Sequence, residues 1–481
     1  MPAGLRVAIA LGLPMIGAIT VAGIYLNREV IVAAAWLAFS VGGLVLVEPV
    51  VGIVAMTAGF LLVAYPSVLQ TLGVLTVNNL LGVCLGVLLL AHVLSTRDLS
   101  FVTIRQVLVL AAIGLLLLLS TAHSESIFPV LRASQSLGIK GKMLDRTSDM
   151  MHDFWTRLVY LVFFCVFVRS RRGILAVFVT FVLVLFIAVP SALVNWWQGT
   201  LSHGFRAVAS VTAGANANRL AMIALIQVAC WWCWMRGGLH GVRRLFAAAA
   251  IGGSLLVVLA SGSRSGLLGM AVLALLLQTG PRLYRVPLRH IGVAVFAGVI
   301  AIATIVPETA WQRALSYSSE RYELGGTSVV KREETIQVGL RMVRDHPFLG
   351  IGLGNFREVS RQVYLDEYFR PPHNSYLWAA AEGGLLVFAG YALLFAFTWR
   401  DLKTVTRLAH RDPRTAHVAA AMRVTFLLYC FFAFFADLWL NPLTYVMVGL
   451  VVTMRQYLER LPAPVVPTAG LAPRAASGPA R

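Results

Sequence analysis

The sequence predicts an all-α polytopic membrane protein, a bundle of about 12–14 transmembrane helices with a large helical loop outside the membrane. Three observations carry this expectation. Hydrophobic residues make up 58% of the 481, and mean hydropathy is +0.79. Apolar runs long enough to cross a hydrocarbon core of ~30 Å recur along the chain. Lys and Arg crowd into short loops that alternating spans place on one side. Backbone groups in lipid must be satisfied internally, which leaves a helix bundle or a closed barrel, and these runs are too long and too apolar for barrel strands.

In order, the apolar runs lie near 7–25, 30–47, 50–65, 79–96, 104–121, 158–168, 174–195, 216–235, 245–262, 265–279, 291–306, 377–399, 418–436 and 443–457. No small-residue cleavage site follows the first, so Met1–Tyr25 reads as a retained span rather than a secretory signal. Glu48-Pro49 interrupts the apolar stretch around it, and the flanking runs read as one broken unit. Residues 1–460 form a single transmembrane domain. Residues 461–481, rich in Pro, Ala and Gly, form a disordered tail. The five cysteines all fall in spans. Cys230-Trp-Trp-Cys233 has redox spacing, but its wall of Val, Ala and Trp marks it as buried apolar filler.

Arg169, Arg171 and Arg172, Arg236 with Arg243 and Arg244, Arg282/Arg285/Arg289, Arg400 through Arg414, and Arg455 to Arg460 share one side when spans alternate. Such loops stay in the cytoplasm, which puts both termini inside. Three polar segments lie outside: 122–154, 196–214 and 307–376. The net charge of +19 is largely this topological bias; its natural partner is anionic membrane lipid, and no nucleic acid is needed to explain it.

The outer segments carry the chemistry. Segment 307–376 holds nine basic and nine acidic residues. Within it Ser328–Arg344 reads as an amphipathic helix, with Val329, Ile336, Leu340 and Val343 as its apolar face. His346-Pro347 stops that helix, because the residue before proline disfavours helical geometry. Gly350-Ile-Gly352-Leu-Gly354-Asn355-Phe356 follows no strand and precedes no Lys-Ser/Thr, so it reads as a tight turn bringing backbone against backbone, not a phosphate cradle. The segment ends in Arg370-Pro-Pro-His373-Asn374-Ser-Tyr376, just before a span. An imidazole titrates near neutrality and can take a proton from a hydroxyl without metal or nucleotide.

Three arginines stand at outer span boundaries in small-residue breaks: Arg206, Arg219 in Asn216-Ala-Asn218-Arg219, and Arg264 in Ser261-Gly-Ser263-Arg264. One arginine there snorkels to headgroups; three together suit a shared anion, and guanidinium binds phosphate oxygens bidentately. The sequence has no Walker lysine loop and no Asp-x-Asp pair. Asp145, Asp149 and Asp153 share a helix face beside His152, and they read as a solvated face, not a metal site. No cofactor is therefore expected. An outer-face enzyme without nucleotide draws its energy from an activated substrate, and arginines with one histidine base suit transfer from a lipid pyrophosphate.

His373-Asn374-x-Tyr376-Leu-x4-Glu382-x-Gly384, the upstream Gly350-x-Gly352-x-Gly354-Asn-Phe, the Ser263-Arg264 break and Asn216-x-Asn218 together resemble the O-antigen ligase/polymerase superfamily, most closely over residues 200–400. The resemblance implies a bundle like the C-type membrane glycosyltransferases, in the bacterial inner membrane, with its active site facing the periplasm. It implies a donor glycan on undecaprenyl pyrophosphate, lipid A–core as acceptor, and neither metal nor nucleotide. Arg264-Ser-Gly-Leu-Leu268 matches the Arg-x3-Leu element of the ligases, and His373-Asn374 with Gly384 matches their His-Asn element. A threonine the family carries further on has no counterpart, since Leu385, Leu386 and Val387 follow Gly384.

On this reading His373 is the base, and Arg264, Arg219 and Arg206 clamp the pyrophosphate. Arg341 adds a donor contact. Asn374 and Tyr376 orient His373 or the acceptor, Asn216 and Asn218 support the clamp, and Glu382 partners an arginine or acts as a buried acceptor. O-antigen polymerase and protein O-oligosaccharyltransferase share these features, and a lipid-linked glycan transporter would share the spans and arginines.

Overall fold

The computed structural model describes residues 42–62, 77–128, 144–201, 206–210, 216–304, 327–365 and 371–462. The predicted spans near 7–25 and over most of 30–47, parts of the outer segments (129–143, 202–205, 211–215, 305–326 and 366–370, with Arg370) and the tail 463–481 lie outside these residues. The described longer elements are all α-helices: α1 Pro49–Leu61, α2 Val77–Thr96, α3 Arg105–Ile127, α4 Leu144–Phe167, α5 Arg171–Phe186, α6 Ala188–Trp197, α7 Ala217–Arg236, α8 Gly241–Ala260, α9 Arg264–Gln278, α10 Leu288–Thr304, α11 Thr327–Asp345, α12 Phe356–Gln362, α13 Ser375–Leu408, α14 Pro413–Phe432 and α15 Pro442–Arg460. Among the described residues, eight helical stretches are long and apolar enough to cross a membrane, and α1 and α9 are shorter apolar helices. The chain is an all-α polytopic membrane protein.

Local chemistry sets the boundaries. Ser170, Asn216, Ser263, Asn374, Asp412 and Asn441 each accept a first-turn backbone N–H as N-cap, and Pro413 and Pro442 follow at helix starts where a missing N–H costs nothing. The stretch 42–47 and α1 meet at Glu48, since Pro49 cannot donate into the preceding turn. The predicted span 174–195 is two helices joined at Ile187, where Pro190 removes one rung of the ladder. Within the predicted outer segment 122–154, α3 continues to Ile127 and α4 begins at Leu144. Cys230 and Cys233 are buried free thiols; Cys230 Sγ lies 3.7 Å from Thr425 Oγ1.

The basic loops meet at one end of the bundle. Arg169 pairs with Asp98 and Arg171 with Asp412. Arg455 bridges Asp401 and Glu459, Arg411 donates to the carbonyls of Leu458 and Leu461, and Arg236 donates to that of Leu283. Asp98, in the loop after α2, has its carboxyl pulled down to about 2 by hydrogen bonds from Ser100 and, secondarily, by Arg169.

α13 does not cross as one rod. Gly384 has φ 75° and ψ 178°, and it divides a short arm (375–383) from a long arm (385–408). In a straight helix Tyr376 and Phe395 would lie about 28 Å apart; their ring centroids are 6.5 Å apart. The arms fold back on each other, so the predicted span 377–399 is a re-entrant arm followed by a span. Backbone groups released at the break are satisfied by the loop after α11. Ile351 and Gly352 N–H donate to the carbonyls of Ala381 and Glu382 at 2.9 Å, and Leu385 N–H donates to Pro347. A Cβ on Gly350 would fall 2.5 Å from the Ala381 oxygen, and one on Gly384 would fall 2.1 Å from the Phe348 oxygen. The glycine turn is thus a close backbone approach, as its spacing predicts.

α11 packs against the short arm of α13. Its buried face is Thr335, Val338 and Met342, with Gly339 against Leu377 and Phe356. The expected face was rotated from this one: Leu340 is 56% exposed, because the helix docks through the gap a side-chain-free Gly339 leaves.

Candidate active site

His373 directly precedes the short arm, at the end of the bundle opposite the basic loops. Its φ of 49° lies in the left-handed region, a conformation costing on the order of 1 kcal/mol for an L-residue, held only where surroundings over-determine it. Ser375 supplies much of that determination. Its N–H donates to Ala433 O at 2.7 Å, its Oγ donates to Ala436 O at 2.6 Å, and Leu438 N–H donates back to that Oγ at 2.7 Å. The turn between α14 and α15 is thereby pinned beneath His373. Tyr429 fixes the same turn through Leu438 O, and Arg157 of α4 donates to Leu440 O while pairing with Asp153.

That turn delivers a residue which the sequence reading missed. Asp437 Oδ2 lies 3.1 Å from His373 Nδ1 and 3.8 Å from Arg219 Nη2. The side chains of His373 and Arg219 are 25% and 31% exposed, while that of Asp437 is 10% exposed. Asp437 Oδ1 is buried with no hydrogen-bond partner among the described residues. A carboxylate only accepts, so Nδ1 must donate, and a neutral ring then presents Nε2 as acceptor. The signal was present: a lone carboxylate between two apolar runs is costly unless it has a partner.

The second half of the site is built from two helix N-termini. Asn218 Oδ1 accepts from Ser263 Oγ at 2.9 Å and from Arg206 Nη2 at 3.0 Å, while Arg206 Nε donates to Ser261 O at 2.9 Å. This buried network ties the start of α7 to the start of α9. Arg219 and Arg264 are the residues that follow Asn218 and Ser263. Arg219 and Arg264 thus stand in the first turns of two joined helices, whose N-terminal ends suit a multiply charged anion.

The predicted residues divide by role. His373, Arg219 and Arg264 occupy two linked sets, joined by the Asp437–Arg219 pair and by Asn218–Ser263. Arg206 is a buried brace under the arginines, and Asn216 caps α7. Asn374 and Tyr376 were expected to orient His373 or the acceptor, and the structure gives them other partners. Asn374 Oδ1 accepts from Tyr376 and Leu377 N–H as the cap of α13, and the Tyr376 hydroxyl donates to Cys430 O at 2.9 Å. Glu382 is fully buried and its Oε1 accepts from Phe356 N–H at 3.1 Å. It anchors the glycine turn, in line with the buried-acceptor alternative. Arg341 stands exposed on α11. Asp153 pairs with Arg157, and among the described residues no three His, Cys, Asp or Glu side chains gather to hold a metal ion.

Residues 249–392 match the family model described as O-antigen ligase. The matched region holds Arg264, Arg341, His373 and the Gly384 break, while Arg206, Arg219 and Asp437 lie outside it. The chain matches no curated protein. Over those residues the chain is similar to the O-antigen ligase family, and the match falls on a helical multi-span bundle.

Proposed function

We propose that this protein is an O-antigen ligase of the bacterial inner membrane, transferring a glycan from undecaprenyl pyrophosphate to a sugar hydroxyl of lipid A–core at the periplasmic face. The observation that carries the reading is the His373–Asp437–Arg219 linkage, which sets a base beside a cationic site. The acceptor hydroxyl gives its proton to His373 Nε2 as its oxygen bonds to the anomeric carbon. The bond from that carbon to the phosphate oxygen breaks with inversion, and its electron pair leaves on the pyrophosphate. Arg219 and Arg264 receive the developing charge, with Arg206 bracing them and Arg341 reaching the donor from the outer helix. Asp437 holds the ring and stabilises it once protonated. The basic end of the bundle faces the cytoplasm, as do both termini, and segments 122–154, 196–214 and 307–376 face the periplasm.

The test is a lipopolysaccharide gel from a strain lacking the gene. A ligase predicts lipid A–core without polymer while lipid-linked polymer persists. Loss of the lipid-linked polymer itself would point to a polymerase, and intact lipopolysaccharide with an unglycosylated protein would point to a protein-directed transferase.

A further inference from the structure

The basic end of the bundle has two unlike halves. On one side arginines meet carboxylates: Arg169 pairs with Asp98, Arg171 with Asp412 and Arg455 with Asp401. The other side has none to offer. Between Asp153 and Glu308 the sequence contains neither Asp nor Glu, and α14 contains none either. Helices α5 to α10 and α14 therefore carry no carboxylate. On this side three arginines gather around the loop from α9 to α10. Arg236 Nε donates to Leu283 O at 2.8 Å, Arg285 Nε to Gly280 O at 3.2 Å, and Arg423 Nη1 to Thr279 O at 3.5 Å. Trp232 Nε1 on Tyr284 O and Gln278 Nε2 on Val286 O fix the loop.

Capping carbonyls at the end of α9 does not account for these side chains. A guanidinium has five N–H donors, and each of the three uses one on a carbonyl. Arg423 is the eleventh of the 20 residues of α14, a helix long and apolar enough to cross a membrane. α9 has 15 residues and stops beside it; a Cβ on Gly280 would stand 3.6 Å from Arg423 Nη1. Arg285 and Arg423 thus converge on one glycine. Side chains lean toward a helix's N-terminus, which for α14 is the basic end, so Arg423 reaches from the apolar layer toward that surface. Charge at such depth is costly without a counter-charge or water. Among the described residues no carboxylate lies within ion-pair distance of Arg236, Arg285 or Arg423. A carbonyl at 3.5 Å is a weak substitute. Arg423 is half-buried, and its Nε and Nη2 remain accessible. α10, which follows the loop, has no buried residue, so lipid has access from that side.

We propose that the loop after α9 is a binding site for the phosphate head group of an anionic phospholipid. Arg285 and Arg423 hold the phosphate oxygens, Arg236 adds charge beside them, and the acyl chains stay in the apolar layer. Guanidinium forks match phosphate oxygens bidentately, and basic pockets between helices at this kind of face receive such head groups. The site is distinct from Arg219 and Arg264, which stand at the opposite ends of α7 and α9. The proposal does not depend on the ligase reading.

The experiment is native mass spectrometry of the full-length protein, stripped of lipid in detergent and titrated with phosphatidylglycerol, phosphatidylcholine or inorganic phosphate. Phosphatidylglycerol should bind at least about tenfold more tightly than phosphatidylcholine. Arg285→Gln should weaken phosphatidylglycerol binding about fivefold, and Arg285→Gln with Arg423→Gln about thirtyfold, the usual effect of one and of two arginines on an anionic lipid. Arg400→Gln with Arg407→Gln removes the same charge from exposed positions of α13 at the basic end and should leave binding nearly unchanged. Should Arg423→Gln fail to fold, phosphatidylglycerol with a diazirine on its head group maps the site in the wild type, where it should label 278–286 and 420–426. Equal affinity for phosphatidylcholine, an equal loss in the α13 pair, labelling confined to other segments, or displacement of the lipid by equimolar inorganic phosphate would overturn the proposal.

Discussion

At Asp437 one carboxylate oxygen serves two neighbours, His373 Nδ1 at 3.1 Å and Arg219 Nη2 at 3.8 Å. Removing either end of that linkage separates base chemistry from binding. His373→Ala should lower transfer about 10²–10⁴-fold with donor binding intact, the usual worth of a positioned base. Asp437→Asn should cost at least about tenfold in kcat with little change in donor KM, because a neutral amide stabilises the protonated ring less. Steady-state kinetics on purified protein decide both, and an Asp437→Asn enzyme with unchanged kcat would remove the carboxylate from the mechanism. Arg264→Lys should impair transfer nearly as much as Arg264→Ala, since an ammonium cannot reproduce a bidentate fork on phosphate; full activity of the lysine variant would show that charge alone suffices. At this scale the sequence was uneven. His373 and the arginines were legible because charged groups at span edges are conspicuous. The partners of Asn374 and Tyr376 were not legible, because a polar side chain beside His373 in sequence can turn into a helix cap or onto a distant carbonyl. Asp437, which is 64 residues from its partner, could be joined to it only by folding.

Gly384 shows what an element contributes that single residues do not. Its backbone break lets the short arm fold back and lets the loop after α11 lie against carbonyls that a continuous helix would have used. Gly384→Ala should destabilise the fold by on the order of 3 kcal/mol, since a Cβ meets backbone and the φ disfavours any side chain; the thermal midpoint in detergent reports this, and an unshifted midpoint would mean that the loop simply moves aside. The outer cap carries a pH dependence of its own. Burial lowers the pKa of His346 below its usual 6.5, with Asp345 opposing and His123 adding to the shift, and its ring packs 5.2 Å from Phe128. A depressed histidine favours the neutral docked form, so docking weakens as pH falls through about 6.5 and below. Hydrogen-exchange protection factors over 342–350, corrected for the intrinsic pH dependence of exchange, should fall as pH drops from about 7 to about 5 in the wild type and hold steady in His346→Gln. The sequence displayed these helices well, because lipid-length apolar runs and proline stops are local signals. It could not display the fold-back at Gly384 or the rotated face of α11, since both depend on what packs opposite.

For the whole molecule, the bundle has two ends of opposite character: arginine loops tied to acidic partners at one, and His373 with Asp437 and Arg219 at the other. On the proposed reading, Arg219 and Arg264 supply the charge that a metal would otherwise bring. Purified protein should therefore transfer glycan from lipid pyrophosphate to rough lipopolysaccharide at an unchanged rate in excess EDTA with no nucleotide added. Activity lost to chelation and restored by Mg²⁺ or Mn²⁺ would demote the arginine clamp and direct attention to Asp145, Asp149 and Asp153. The overall class was readable because a chain in lipid has few solutions. The site was readable only in fragments, because its parts come from α7, α9, α13 and the turn before α15.

The turn that carries Asp437 joins α14 to α15, so the carboxylate meets His373 only after α14 has been made and the chain has turned back on itself. Until then the arginines and the imidazole are displayed on a growing chain without the group that connects them. During synthesis the linkage therefore stays unassembled until nearly all the helices described above have been made. Any nascent product that stalls before that turn lacks the carboxylate that links His373 to Arg219.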